Sequence, residues 1–253
     1  MTVDACAALV ARGDPDRFAA VMAAPVALRA RLFVLYAFNL EVARAPWVTK
    51  EPLIAEMRLQ WWRDVVAEPT ARAHEVAGPL FDLIRDAGLP VDVLDRLIAA
   101  RRWDVSAEPF ADRAAFEAYL EDTAAGLMWL AAKACGAADQ AEPAVRAYGW
   151  AHGLASYLRA VPDLTGRGRM PLLDSRADAI GALAQRGLAR ITTARADRRL
   201  VGQAAPALLA GWQTEALLKQ VVADPLLVVQ GRMGQSEFSR RGGLLWQAVT
   251  GRW

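Results

Sequence analysis

Apolar side chains recur at three- and four-residue spacing along nearly the whole chain, and the alternation that would mark a strand is scarce. Alanine and leucine dominate, arginine is frequent, and most of the 13 prolines fall between the periodic segments. The chain is therefore expected to be all-α, a helical bundle in one domain, since 253 residues can bury a substantial core. The spacing predicts helices near 3–12, 14–22, 25–44, 51–67, 75–87, 90–105, 112–135, 141–160, 174–196, 203–222, 225–229 and 236–249. No period of about 20 to 50 residues recurs, so a solenoid is not indicated.

The stretch from Arg31 to Asp64 organises the rest. Its first half, RLFVLYAFNLEVARAPW, puts Leu32, Leu35, Tyr36 and Asn39 on one helical face, with Ala43 and Arg44 on the next turn. The segment 112–135 lines Phe116, Tyr119, Leu120, Thr123, Leu127 and Leu130 along one side, and Ala124, Ala125, Ala131 and Ala132 allow close helix approach, so it reads as a central core helix. Asp14 and Asp112 stand at N-cap positions, and Gly88 and Gly136 at helix stops.

Composition excludes several function classes. The 30 basic and 28 acidic residues are interspersed, so no basic tract marks a nucleic-acid partner. Cys6 and Cys135 have no CxxC or paired histidine, which argues against a disulfide framework or a zinc site. The N-terminal MTVDACAALV lacks a basic region before an apolar core, so no secretory signal is read there. The longest apolar run, 204–212, is interrupted by Pro206 and is far short of the ~20 residues of a membrane helix. A cytoplasmic location, extending to the inner face of the membrane, is the expectation.

The strings LFVLYAFNLEVA, EMRLQWWRDVV, the helix with Tyr119 to Ala125, and LRAVPDLTGRGRMPLL together resemble the squalene/phytoene synthase family of head-to-head prenyl transferases. The likeness covers residues 14–222 in order, and RLQWWRD points to its bacterial and mitochondrial branch. It implies the class I isoprenoid synthase fold, α-helices around a deep central cavity. That chemistry ionises an allylic diphosphate, whose charge needs Mg²⁺ held by two aspartate clusters on facing helices. In the resemblance the first cluster falls on Ala43, Arg44 and Trp47, and the second, after Leu158-Arg159, on Ala160 and Leu164. None of these side chains coordinates magnesium, so no catalytic residue and no metal ligand is expected, and no cofactor unless the chain is a working transferase that uses magnesium.

Other residues near those positions have competing readings. Glu41 is rotated by ~200° from Ala43 and is expected outside the cavity. Asp163 could supply one carboxylate, and Asp64 is expected to pair with an arginine. Arg159, Arg167 and Arg169 could grip a phosphate bidentately without metal, or brace a loop through carbonyls and carboxylates. Arg44 would stand as a fixed positive charge where a metal would have been. Tyr36 and the other aromatics read as cavity lining or as core. His74 and His152 read as packing or surface residues, and Asp104 as a structural partner.

The segment 236–253 reads as a separate basic-aromatic tail after a 1–235 domain. It mixes Arg240, Arg241 and Arg252 with Phe238, Leu244, Leu245, Trp246 and Trp253, suited to a membrane interface or to docking on the bundle, while Gly242-Gly243 disfavours a long helix. The resemblance implies a non-catalytic binding protein or a respiratory complex I assembly factor, because the mitochondrial branch includes one, with complex I subunits and an isoprenoid or lipid ligand as partners. The alternative it implies is a prenyl transferase condensing isoprenoid diphosphates.

Overall fold

The computed structural model describes residues 3–68, 73–106 and 108–253, and among them every regular element is helical. In chain order these are α1 (Val3–Gly13), α2 (Pro15–Ala23), α3 (Val26–Arg44), α4 (Pro52–Ala67), α5 (Ala77–Ala87), α6 (Val91–Ala100), α7 (Arg102–Val105) and α8 (Arg113–Leu120). There follow α9 (Gly126–Ala134), α10 (Glu142–Gly166), α11 (Ala177–Ala196), α12 (Arg198–Val201), α13 (Thr214–Ala223), α14 (Leu226–Val229) and α15 (Glu237–Thr250).

Two helices form the axes of the bundle. From Leu32 to Leu40 every residue of α3 is buried, because α1, α2, α5 and α9 all pack on it. That is why this segment reads apolar almost all round rather than on one stripe. The 25-residue α10 packs on α9, α11 and α13, and it continues through Pro162, past the expected end at 160, so Asp163 and Leu164 are helical. Capping chemistry fixes several ends. Asp14 accepts from the Arg17 amide at 2.9 Å and Asp112 from that of Ala115 at 2.8 Å. Gly88 closes α5 with φ of 59°, a backbone open to glycine at no steric cost.

The segment expected as one helix over 112–135 is interrupted by a π-helical turn, Glu121–Ala125. Gly149 and Gly153 of α10 lie directly on it. A Cβ on Gly149 would sit 2.8 Å from Ala125 Cα, and one on Gly153 would collide with the Ala124 methyl. The expected helix 90–105 divides at Arg101 into α6 and α7. The expected helix 203–222 becomes a 3₁₀ stretch, Gly202–Gly211, followed by α13, because Pro206 lacks the amide that an α-helix interior needs.

Gly242 and Gly243 do not stop α15, which runs through both and docks on α2 and the 3₁₀ stretch. Leu244 packs there against Ala20, Leu209 and Trp212, and Gln247 Nε2 donates to the Trp212 carbonyl at 3.2 Å. Asp16 of α2 ties the region together, accepting from Arg240, from Gln213 Nε2 at 2.9 Å and from Arg159 at 3.4 Å. Among the described residues, no helix is long and apolar enough to cross a membrane.

Candidate functional site

A cavity of about 460 Å³ opens between the end of α3, the α7–α8 region with its π turn, and α10. Ala43 and Trp47 form one wall, and Ala160, Asp163 and Leu164 the facing one. Thr123, Ala124 and Gly153 also line it. The close glycine contact between α10 and the π turn therefore sets the spacing of this wall.

A buried relay lines the cavity. Tyr119 Oη accepts from Arg101 Nη1 at 2.8 Å and donates to Asp104 Oδ2 at 3.1 Å, while Arg101 also reaches Asp104 at 3.2 Å. Burial raises the Asp104 carboxyl above its usual range against the pull of Arg101, and burial also raises the Tyr119 phenol, which stays protonated. Arg169 Nη2 donates to the Asp104 carbonyl at 2.5 Å. Around this relay Trp103 stacks on Phe110 with centroids 4.0 Å apart, and Phe116, Tyr119 and Tyr157 pack edge-on; of this cluster Tyr119 and Tyr157 line the cavity.

Guanidinium groups surround the opening. Trp47 lies beneath both Arg167 and Arg169, at 4.9 and 5.2 Å from its ring centroid. Arg17 lines the cavity while bonding Asp14 at 3.1 Å and covering the Tyr36 ring at 5.3 Å. Arg17 Nε, Arg101 Nε and Arg169 Nη1 are buried with no acceptor among the described residues. His152 borders the cavity, bonds Thr214 at 3.3 Å, and is held down to about 3 by burial and then by Arg17 and Arg159, so it is neutral at ordinary pH.

The candidate residues separate in space. Asp163 and Arg167 reach the cavity but pair with each other at 2.9 Å. Arg169 braces the loop through the Asp104 carbonyl, and Arg159 lies in an adjoining cleft against Asp16. Tyr36 is buried in the core under Arg17 and does not line the cavity. Arg44 is the clear correction: one residue beyond Ala43 turns it about 100° away, and it is exposed, 3.9 Å from Glu41. Glu41 itself faces a separate cleft with Trp61, Trp62 and His74.

Asp64 accepts from Gln60 rather than from an arginine, and its neighbour Arg63 pairs with Asp95 at 2.6 Å. His74 caps α5, its Nδ1 accepting from the Val76 and Ala77 amides. No local motif marks Arg17, Arg101 or His152 as cavity residues: Arg17 and His152 arrive from separate helices and Arg101 from the break between α6 and α7. Among the described residues, no three His, Cys, Asp or Glu side chains gather where they could hold a metal ion. Asp104 and Asp163, the carboxylates that reach the cavity, are already taken by Arg101 and Arg167, so this donor set does not fit a magnesium cluster.

A family model described as squalene/phytoene synthase matches residues 10–229. A dehydrosqualene synthase crystallised with a ligand superposes with a TM-score of 0.80 at 13% identity, over 98% of this chain and 95% of that one. Squalene synthase HpnC from Alicyclobacillus acidocaldarius gives 0.59 at 20% identity, over 99% and 93%. At those identities the likeness establishes the fold.

Among curated proteins, the Drosophila melanogaster homolog of NADH dehydrogenase (ubiquinone) complex I assembly factor 6 is 33% identical over 178 residues, covering 66% of this chain and 53% of that protein. The Homo sapiens assembly factor 6 is 26% identical over 161 residues, covering 62% and 48%. The chain spans about half the length of these curated relatives. The helices around a central cavity, the matched span and the structural neighbours agree: the chain has the isoprenoid synthase fold and belongs to the squalene/phytoene synthase family.

Proposed function

We propose that this chain is a non-catalytic member of its family that acts in assembling respiratory complex I, the process named for its curated relatives. The observation that carries the reading is the cavity wall. Ala43, Trp47, Ala160 and Leu164 carry no side-chain oxygen, and the carboxylates within reach are held by arginines. A diphosphate leaving group has no magnesium cradle in such a wall.

The cavity is retained for binding rather than turnover, with an isoprenoid or lipid as its ligand. The rings of Trp47, Tyr119 and Tyr157 in its lining suit a hydrocarbon chain, and the guanidiniums of Arg17 and Arg101 that also line it suit an anionic head without metal. In this reading the working partners are complex I subunits at the inner face of the membrane.

Two measurements test it. Removing the gene from its source organism should lower the amount of assembled complex I on native gels, and normal assembly would overturn the reading. Incubating the protein with farnesyl or geranylgeranyl diphosphate and Mg²⁺ should release no pyrophosphate. Turnover to a nonpolar product would make the prenyl transferase alternative the correct one.

A further inference from the structure

The docked face of α15 leaves an opposite face uncovered. Arg240, Leu244, Gln247 and Ala248 turn toward α2 and the 3₁₀ stretch. At about 100° per residue, Phe238, Leu245 and Val249 fall within about 40° of one another on the side away from that contact, with Trp246 beside them. Their exposures are 89%, 65%, 76% and 61%. A helix held by one stripe and showing four large apolar side chains on another is costly in water unless something covers it.

The surroundings indicate what the cover is. Arg241 borders the stripe on the helix, paired with Glu237 at 2.7 Å, and Arg252 follows directly after it, both arginines exposed. The Trp253 carbonyl, just past α15, accepts from Arg195 in the last turn of α11 at 2.6 Å, and the exposed Arg198 and Arg199 follow that turn in sequence. Aromatic and branched side chains one residue wide, rimmed by guanidiniums, match the boundary between acyl chains and anionic headgroups. Four side chains offer a few hundred Å² at most, below the ~800 Å² per partner of a stable protein interface.

We propose that the outward face of α15, made of Phe238, Leu245, Trp246 and Val249 with Arg241 and Arg252 at its border, seats this protein on an anionic lipid surface. The inner face remains on the bundle, so the contact is peripheral. The proposal rests on the geometry of α15 and is independent of the assembly reading.

The test is co-sedimentation of the full chain with vesicles of phosphatidylcholine alone or with about one-third phosphatidylglycerol. The wild type is expected to bind the anionic vesicles, less so as salt rises. The quadruple variant Phe238→Ser, Leu245→Ser, Trp246→Ser, Val249→Ser is expected to bind at least about tenfold more weakly. A Leu53→Ser, Met57→Ser variant, which removes an exposed apolar pair on α4, should bind like the wild type.

Unchanged melting would show that the variants fold. If the quadruple variant melts early, a dye on Val249→Cys supplies the second readout: Cys6 and Cys135 are buried, and the emission should shift to the blue on anionic vesicles. Wild-type protein that ignores vesicles, a quadruple variant that binds as well as wild type, or loss in the α4 variant instead would each overturn the proposal. So would a dimer broken by the quadruple variant in the absence of any vesicle binding, which would make a second copy the occupant.

Discussion

Exchanging one methyl group across the α10 contact tests the packing that shapes the cavity. In Gly153→Ala the new Cβ meets the Ala124 methyl far inside contact distance, while its next neighbours, Leu120 Cδ2 and Ala124 Cα, stand at 3.7 and 3.8 Å. The obstruction is therefore a single carbon that is fixed to the backbone and cannot rotate away. Restoring an ordinary separation requires the helices to part by about 1 Å, and overpacking of this kind costs about 1–3 kcal/mol.

Alanine recovers about 1 kcal/mol over glycine in a helix interior. We expect a net loss of up to about 2 kcal/mol, or up to roughly 8 °C in Tm for a chain of this length. Ala124→Gly alone should lose about 1 kcal/mol from helix propensity, with a further loss for the deleted methyl contact. The double variant returns the methyl to the other side, so it should be more stable than the sum of the singles by at least about 1 kcal/mol. Urea denaturation followed by circular dichroism measures all four proteins. A Gly153→Ala variant more stable than wild type, or strictly additive effects, would refute close contact between α10 and the π turn.

Other expectations follow from the polar groups. Tyr119→Phe removes the hydroxyl that accepts from Arg101 and donates to Asp104, and should cost about 1–3 kcal/mol by urea titration, with a cost below about 0.5 kcal/mol counting against the relay. His152 titrates at about 3 in the fold and near its ordinary ~6.5 when unfolded, so its contribution is present above ~6.5 and is lost as pH falls toward 3. Stability should drop by up to about 1.4 kcal/mol per pH unit between about 6.5 and 5, above the range where lowered carboxylates such as Glu215 act, and His152→Gln should flatten that slope. Burial pushes the Cys6 thiol up to about 11 and that of Cys135 to about 12, so iodoacetamide should label neither at neutral pH without denaturant, and rapid native labelling of either would show an opening that this fold lacks.

The helices, the buried run of α3 and the core character of 112–135 were readable because burial writes itself into spacing: apolar residues on every turn of α3, small residues at Ala124 and Ala125 where another helix comes close. Ala43, Trp47, Ala160 and Leu164 were readable as cavity positions only through the likeness to a family whose motifs fall there. The Arg101–Tyr119–Asp104 relay was not, because it depends on α6 and α7 dividing at Arg101 and on α8 folding back over the break. Arg44 was misread because motif register places a residue in a row, whereas one step along a helix turns its side chain out of the cavity. The π turn had no local signal beyond a run of small and polar residues.

Asp16 and Arg240 stand 224 positions apart in sequence and meet in space. A ribosome emits the aspartate early and the arginine only after all the intervening chain. The clasp between them, with Gln213 and Arg159 as its other two fingers, cannot close until Arg240 has been made. Until then α2 leaves bare the Ala20 patch that Leu244 later covers. The helix α15 is thus the latch that fastens α2 to the 3₁₀ stretch, and a nascent chain truncated before residue 236 would leave that latch undone.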